Sequence, residues 1–203
     1  MRDTTKKDNT RLRLLAAGAD LMHRQGYGGT GIQDVLSACG VPKGSFYHFF
    51  KSKEEFALAV LDFQAERLGA SVLPLLTDPV RTPLERLTAF FDYFLGLYSD
   101  AASLRGACGC PIGNLVQELA ASNPSFRQRL NAILSGAEGL MAQALSEARE
   151  RGEIPARLDP QETALFIAAS WQGAILRMKA VGNASPLERC RDFVLNELLR
   201  KSD

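Results

Sequence analysis

The stretch TGIQDVLSACGVPKGSFYHFFKSKEEF, residues 30–56, decides the fold. Its second half, KGSFYHFFKSKEEF (residues 43–56), gathers five aromatic residues and a histidine among lysines and beside a glycine. A buried helix excludes the lysines, and a solvated loop excludes the phenylalanines. Both sides of this segment therefore need a use, one apolar and one cationic.

Ahead of it, Thr30 stands where an N-cap belongs, Ile32, Val35 and Leu36 share one helical face, and Gly40 closes the short helix at a tight turn. Pro42 suits the first turn of a third helix over about residues 42–50, because its missing N–H would have no partner there. Further upstream, Leu12, Leu15, Ala16, Ala19 and Met22 recur at helical spacing, which predicts a helix over about residues 9–26 that QGYGG stops. Two short helices joined by a glycine-containing turn, carried on a longer first helix, form a helix-turn-helix pattern. In the third helix Val41, Phe46, Phe49 and Phe50 are expected to face a small core. Lys43, Ser45, Tyr47 and His48 are expected to project outward, toward a major groove about 12 Å wide. Gly44 costs a helix roughly 1 kcal/mol relative to Ala, so it reads as a point of close approach by another backbone or by DNA.

This segment resembles, in spacing and residue types together, the helix-turn-helix signature of the TetR family of bacterial transcriptional regulators. The resemblance implies that Thr30, Lys43, Tyr47, His48 and Lys53 contact DNA. Tyr47, His48 and Lys53 would meet phosphates and Lys43 would lie near base edges, with Gly44 and Ser45 beside them. Gly29 and Gly31 flank Thr30 where many members carry a second threonine, so one phosphate contact is expected to be missing.

Charge placement agrees with a nucleic-acid partner. Residues 1–53 hold nine Lys and Arg against four Asp and Glu, while residues 54–203 hold fifteen against nineteen. A basic head on a mildly acidic body is the pattern of a DNA-facing module, and a basic tail on an inert domain would look similar. The polar tail RDTTKKDNTR reads as disordered, with a minor-groove arm as its other reading. No apolar run approaches the roughly 18 residues of a membrane span, and four cysteines in 203 residues do not make a disulfide framework. The expectation is a cytoplasmic protein with reduced thiols and no membrane partner.

The whole chain is expected to be all-α, with about nine helices. Residues 1–51 would form the DNA-binding domain and residues 52–203 the effector-sensing and dimerisation domain. Body helices are read over about 52–73, 83–98, 111–121, 123–151, 160–181 and 186–201. On the last two, Ala164, Ala168, Ala169, Gly173 and Ala174 make one stripe and Leu187, Cys190, Val194 and Leu198 another. Either these stripes pack inside the monomer or they build a four-helix interface with a second copy. The family resemblance implies the second, a homodimer on a near-palindromic operator.

The sensing site is expected around RGACGCPIGNLVQELA. Cys110 directly precedes Pro111 at the N-terminus of a helix, where the helix dipole favours a nucleophilic thiolate. The segments GCPIGNLVQEL and SWQGAILRMKA resemble an electrophile-sensing branch of the family, which by position places the sensing cysteine on Cys110 and a coupled lysine on Lys179. The Pro–Ile–Gly–Asn continuation departs from that branch. Cys108 and Cys110 are equally readable as packed small residues, and Phe90, Phe91, Phe94, Leu115, Leu119, Trp171 and Ile175 as an ordinary apolar ligand pocket. Lys179, if buried, would need a partner. No metal site or cofactor is implied, since both histidines lie in the head. A thiol-dependent enzyme is the competing class. It lacks a histidine in the body to act as base to Cys110, so no catalytic residue is assigned.

Overall fold

The computed structural model describes residues 2–98 and 109–201, with side chains from Asn9 onward. Every regular element among them is helical: α1 (Arg2–Gln25), α2 (Ile32–Cys39), α3 (Lys43–Phe49), α4 (Lys53–Leu76), α5 (Pro83–Leu97), α6 (Pro111–Leu119), α7 (Pro124–Glu150), α8 (Pro160–Val181) and α9 (Ser185–Phe193). A single π-helical turn, Val194–Leu198, follows α9. Four helices open on proline, the residue whose lost N–H costs nothing at that position. Capping side chains mark three of these starts. Thr82 and Glu85 exchange bonds across the first turn of α5, Asn123 Oδ1 accepts from the Ser125 and Phe126 amides, and Asp159 caps α8.

Boundaries differ from the sequence pattern in several places. Helix α1 begins at Arg2 instead of near residue 9, because extending an existing helix adds a backbone bond per residue without a new nucleus. Helix α4 runs past Pro74 to Leu76. Helix α2 is capped by Gly31, whose N–H donates to Asp34 Oδ2 at 2.9 Å, and not by Thr30. Pro42 is likewise the N-cap of α3, one position before its first helical residue.

The chain divides into two compact units: Met1–Leu68 with Pro111–Asn131, and Gly69–Cys110 with Ala132–Asp203. Helices α4 and α7 each contribute residues to both. In the first unit the core runs through Leu14, Leu15, Met22, Leu36, Phe46, Phe56 and Leu61, joined by Ile112, Leu115 and Phe126. In the second, Leu87, Phe91, Leu145, Ile154, Ile167 and Leu187 are among the fully buried members. There the buried Arg86 donates to the Asp78 carbonyl and pairs through Nη1 with Glu147 Oε2 at 2.7 Å, so its charge is compensated.

The inner face of α1 keeps Leu15, Ala19 and Met22 of the apolar pattern but is rotated away from its other two members. Leu12 is 52% exposed and Ala16 is exposed, while Leu14, Leu15, Gly18, Ala19 and Met22 face inward. Gly18 explains the rotation. A Cβ there would sit 2.8 Å from Val60 Cγ2 and 2.9 Å from Phe56 Cε1, so α4 seats its aromatic ring in the space a glycine leaves. Gly→Ala inside a helix ordinarily stabilises by about 1 kcal/mol. At position 18 the sign should reverse: Gly18→Ala is expected to destabilise by about 1–3 kcal/mol through overpacking, read from chemical denaturation midpoints.

Candidate nucleic-acid interface and effector site

Helix α3 is short, and its two sides are chemically distinct. Phe46 is fully buried, and its ring meets those of Phe50 at 5.6 Å and Phe56 at 5.2 Å. Phe50 meets Phe56 at 5.0 Å, which closes a three-ring cluster beneath the helix. Opposite it, Lys43, Gly44, Tyr47 and His48 are exposed and Ser45 is half-buried. Phe49 is only half-buried, because the helix ends there and Phe50 continues in extended backbone to supply the core ring instead. Outside its own helix backbone and chain neighbours, no atom of the described residues lies within 4 Å of where a Cβ of Gly44 would sit, so no internal packing requires glycine there.

Lys53, in the first turn of α4, is half-buried with its ammonium 4.3 Å from the centre of the Tyr27 ring, a cation–π contact. Tyr27 packs edge-on against Phe126 at 5.7 Å. Burial, reinforced by the Glu54 and Glu118 carboxylates, raises the Tyr27 phenol above its ordinary value, so the ring meets Lys53 as a neutral phenol. Thr30 is 1% exposed, and its hydroxyl donates to the Gly26 carbonyl at 2.7 Å. The Thr30 side chain is thus enclosed within the first unit. Lys51, exposed between α3 and α4, adds a cation that the sequence reading passed over, although it is the first lysine of the same KSK run.

In the second unit, Phe90 and Phe94 are half-buried with their rings 5.0 Å apart, and Trp171 meets Phe91 at 5.0 Å and Phe94 at 6.3 Å. Trp171 and Ile175 are 4% and 5% exposed, and among the described residues the buried indole N–H of Trp171 has no hydrogen-bond partner. Gly109, at φ +82, lies directly on α8: a Cβ there would be 2.9 Å from Lys179 Cδ and 3.4 Å from Ile175 Cγ2. This approach brings Cys110 onto the same helix, where Gln172 Nε2 donates to its Sγ at 3.5 Å. Cys110 is half-buried. Lys179 is exposed, and its stem lies against Gly109. Cys108 lies outside the described residues. Gln172 was not singled out by sequence, although it falls within the SWQG segment. Among the described residues no three His, Cys, Asp or Glu side chains are grouped to hold a metal, and no helix is long and apolar enough to cross a membrane.

Residues 14–60 match the model for "Bacterial regulatory proteins, tetR family", and residues 83–194 match that for "Tetracyclin repressor-like, C-terminal domain". The chain belongs to the TetR family. It is 35% identical over 193 residues to the HTH-type transcriptional repressor DhaR of Mycobacterium sp. (strain GP1), covering 95% of this chain and 94% of that protein. The HTH-type transcriptional repressor NemR of Escherichia coli (strain K12) is 30% identical over 188 residues, 93% of each chain. The crystal structure of E. coli NemR in its reduced form superposes with a TM-score of 0.87 at 28% identity, over 96% of this chain and 98% of that one. The regulatory protein TetR from Rhodobacter sphaeroides gives 0.81 at 32% identity, over 91% and 95%.

TetR-family chains typically act as dimers, and the last two helices here carry an uncovered apolar face. It shares Ala169 and Gly173 with the stripe read from sequence but not its other members. Ala164, Leu187 and Val194 are buried within the second unit, whereas Phe166 and Leu176 are 52% and 51% exposed, with Ala169, Gly173 and Ala180 exposed in line with them. Phe193 on α9 is 55% exposed. Helix α8 is apolar on two sides, and periodicity alone does not say which side faces inward.

The unpartnered indole N–H of Trp171 has a measurable consequence. Trp171→Phe removes the donor and keeps an aromatic ring, so stability should stay within about 1 kcal/mol of the native chain, whereas Trp171→Ala should cost about 3–5 kcal/mol. Urea unfolding of the two variants checks this. A large loss for Phe would mean that the N–H is satisfied in solution.

Proposed function

We propose that the chain is a dimeric DNA-binding repressor whose α3 docks in the major groove of a near-palindromic operator, and that a small-molecule effector at the second unit releases it. The observation that carries this reading is the outward face of α3, where Lys43, Tyr47 and His48 stand exposed over a three-ring core. Tyr47 and His48 then serve the phosphate backbone, Lys43 reaches base edges, and Lys51 and Lys53 add phosphate contacts. Gly44 leaves the helix backbone free to approach the duplex. Dimerisation through α8 and α9 uses the Phe166, Gly173 and Leu176 face, and spaces two recognition helices about one helical turn, roughly 34 Å, apart. The repressor names of DhaR and NemR support this mode of action.

The test is footprinting on the DNA upstream of the chain's own gene, followed by titration of the protected duplex. Tyr47→Ala should weaken binding to every sequence alike, and Lys53→Ala should reduce the salt slope of log K by about 1, the signature of one phosphate contact. Unchanged affinity in Tyr47→Ala would place the docking face elsewhere.

For the effector, the arrangement supports a reactive electrophile. Addition of the Cys110 sulfur to an electron-poor alkene forms an S–C bond as the C=C π bond opens, and the adjacent carbon takes up the proton the thiol gave to solvent. An adduct there would disturb the Gln172–Cys110 contact and the start of α6, and tilting α4 by a few ångströms would take the two heads out of register. A reversibly bound apolar ligand among Phe90, Phe94, Trp171 and Ile175 is the second reading, supported by the unpartnered indole donor. N-ethylmaleimide separates them. Under the first reading it releases the native chain from its operator but leaves Cys110→Ser bound, and equal release of both would remove Cys110 from the mechanism.

A further inference from the structure

The turn between α1 and α2 is built around a carboxylate from about ninety residues away. Helix α1 ends at Gly26, whose N–H closes on the Met22 carbonyl at 3.0 Å and whose φ of +77 turns the chain out of the helix. The next two backbone amides point at Glu118 in the last turn of α6. Tyr27 N–H donates to Oε2 at 2.8 Å and Gly28 N–H donates to Oε1 at 2.6 Å, so each carboxylate oxygen takes one amide. Two charge-assisted bonds to consecutive amides form a small anion-binding nest, filled here from within the chain.

The glycines of QGYGG are sized for this contact. A Cβ on Gly26 would stand 2.8 Å from Glu118 Oε2, and one on Gly28 would stand 3.2 Å from Oε1. Around the nest, Gln25 Nε2 donates to the Gly29 carbonyl at 2.8 Å and the buried Thr30 hydroxyl to the Gly26 carbonyl. The turn so specified leads directly into Gly31 and α2, whose Val35 and Leu36 lie in the head's core. It also sets the Tyr27 ring on which the Lys53 ammonium rests. A carboxylate in a basic, DNA-facing head works against attraction to phosphate, so its contribution there is geometric.

We propose that Glu118 is a positioning residue for operator binding: it ties α6, which starts immediately after Cys110, to the turn that orients the helix-turn-helix and Lys53. This rests on the repressor reading above and adds to it the contact through which a change at the start of α6 would reach the head.

The experiment compares the native full-length chain, Glu118→Gln and Gly28→Ala on the footprinted duplex and on a scrambled duplex of equal length. Thermal unfolding and amide NMR spectra are recorded alongside. Glu118→Gln keeps the side-chain size but sets an N–H donor against a backbone N–H. Operator affinity should fall about tenfold, the loss of one charge-assisted bond. Scrambled-duplex affinity should hold or rise slightly, because a negative charge has gone. The Tyr27 and Gly28 amide resonances should move upfield, and both variants should remain folded at the assay temperature. Gly28→Ala, which pushes the carboxylate back, should act in the same direction more weakly. Native operator affinity in both variants overturns the proposal, as does a parallel fall on both duplexes accompanied by lowered thermal stability. A native chain with no preference for any duplex overturns the repressor reading itself and the positioning role with it.

Discussion

Phe56 enters the space that Gly18 leaves open on α1, and the geometry of the first unit follows from that contact. With its first turn held there, α4 presents Phe56 to Phe46 and Phe50, and the three rings meet edge-on or tilted at 5.0–5.6 Å. Each such pair contributes about 0.5–1.5 kcal/mol beyond its buried area, and ring geometry, unlike aliphatic packing, constrains orientation as well as distance. Helix α3 has only seven residues, too few to be stable alone, so its orientation is set by this cluster. Lys43, Tyr47 and His48 face outward because Phe46 faces inward. Lys53 lies three residues before Phe56, and the same anchor sets its ammonium over Tyr27.

The second unit is organised by a close approach of another kind. Gly109 lies against the stem of Lys179 and against Ile175 with no room for a side chain, which delivers Cys110 to Gln172 on α8. Trp171, adjacent in sequence and buried among Phe91 and Phe94, turns the other side of that neighbourhood apolar. A thiol held by an amide thus lies on the same helix as an aromatic cluster. Both draw on α8, whose opposite face carries the exposed Phe166 and Leu176.

Much of the exposed face of α3 was legible because its signal is local. The alternation of large aromatics and cations over residues 43–56 forces a two-sided helix, and the exposed Lys43, Tyr47 and His48 follow from the position of Phe46. Thr30 misled because Ser or Thr before a helical run is a good N-cap signal. Here its hydroxyl turns back to Gly26, and Gly31 with Asp34 caps α2. The inner face of α1 was read only in part, at Leu15, Ala19 and Met22, because a glycine carries no hydrophobic weight in a periodicity count, yet Gly18 is where the partner ring enters. On α8 two apolar faces competed, and only the packing of Ala164, Ile167 and Trp171 shows which one is internal.

By itself the sequence determined an all-helical chain with a helix-turn-helix head, a basic end and a cysteine at the start of a body helix. Those properties reside in periodicity, caps and charge over a few turns. Tertiary structure alone decided the contacts between residues far apart in the chain: Glu118 in the nest of Tyr27 and Gly28, Lys53 over Tyr27, Gly109 on Lys179, and the choice of face on α1 and α8. The physical reason is shared. Each depends on how closely two backbones approach, and that distance is set by missing side chains as much as by those present.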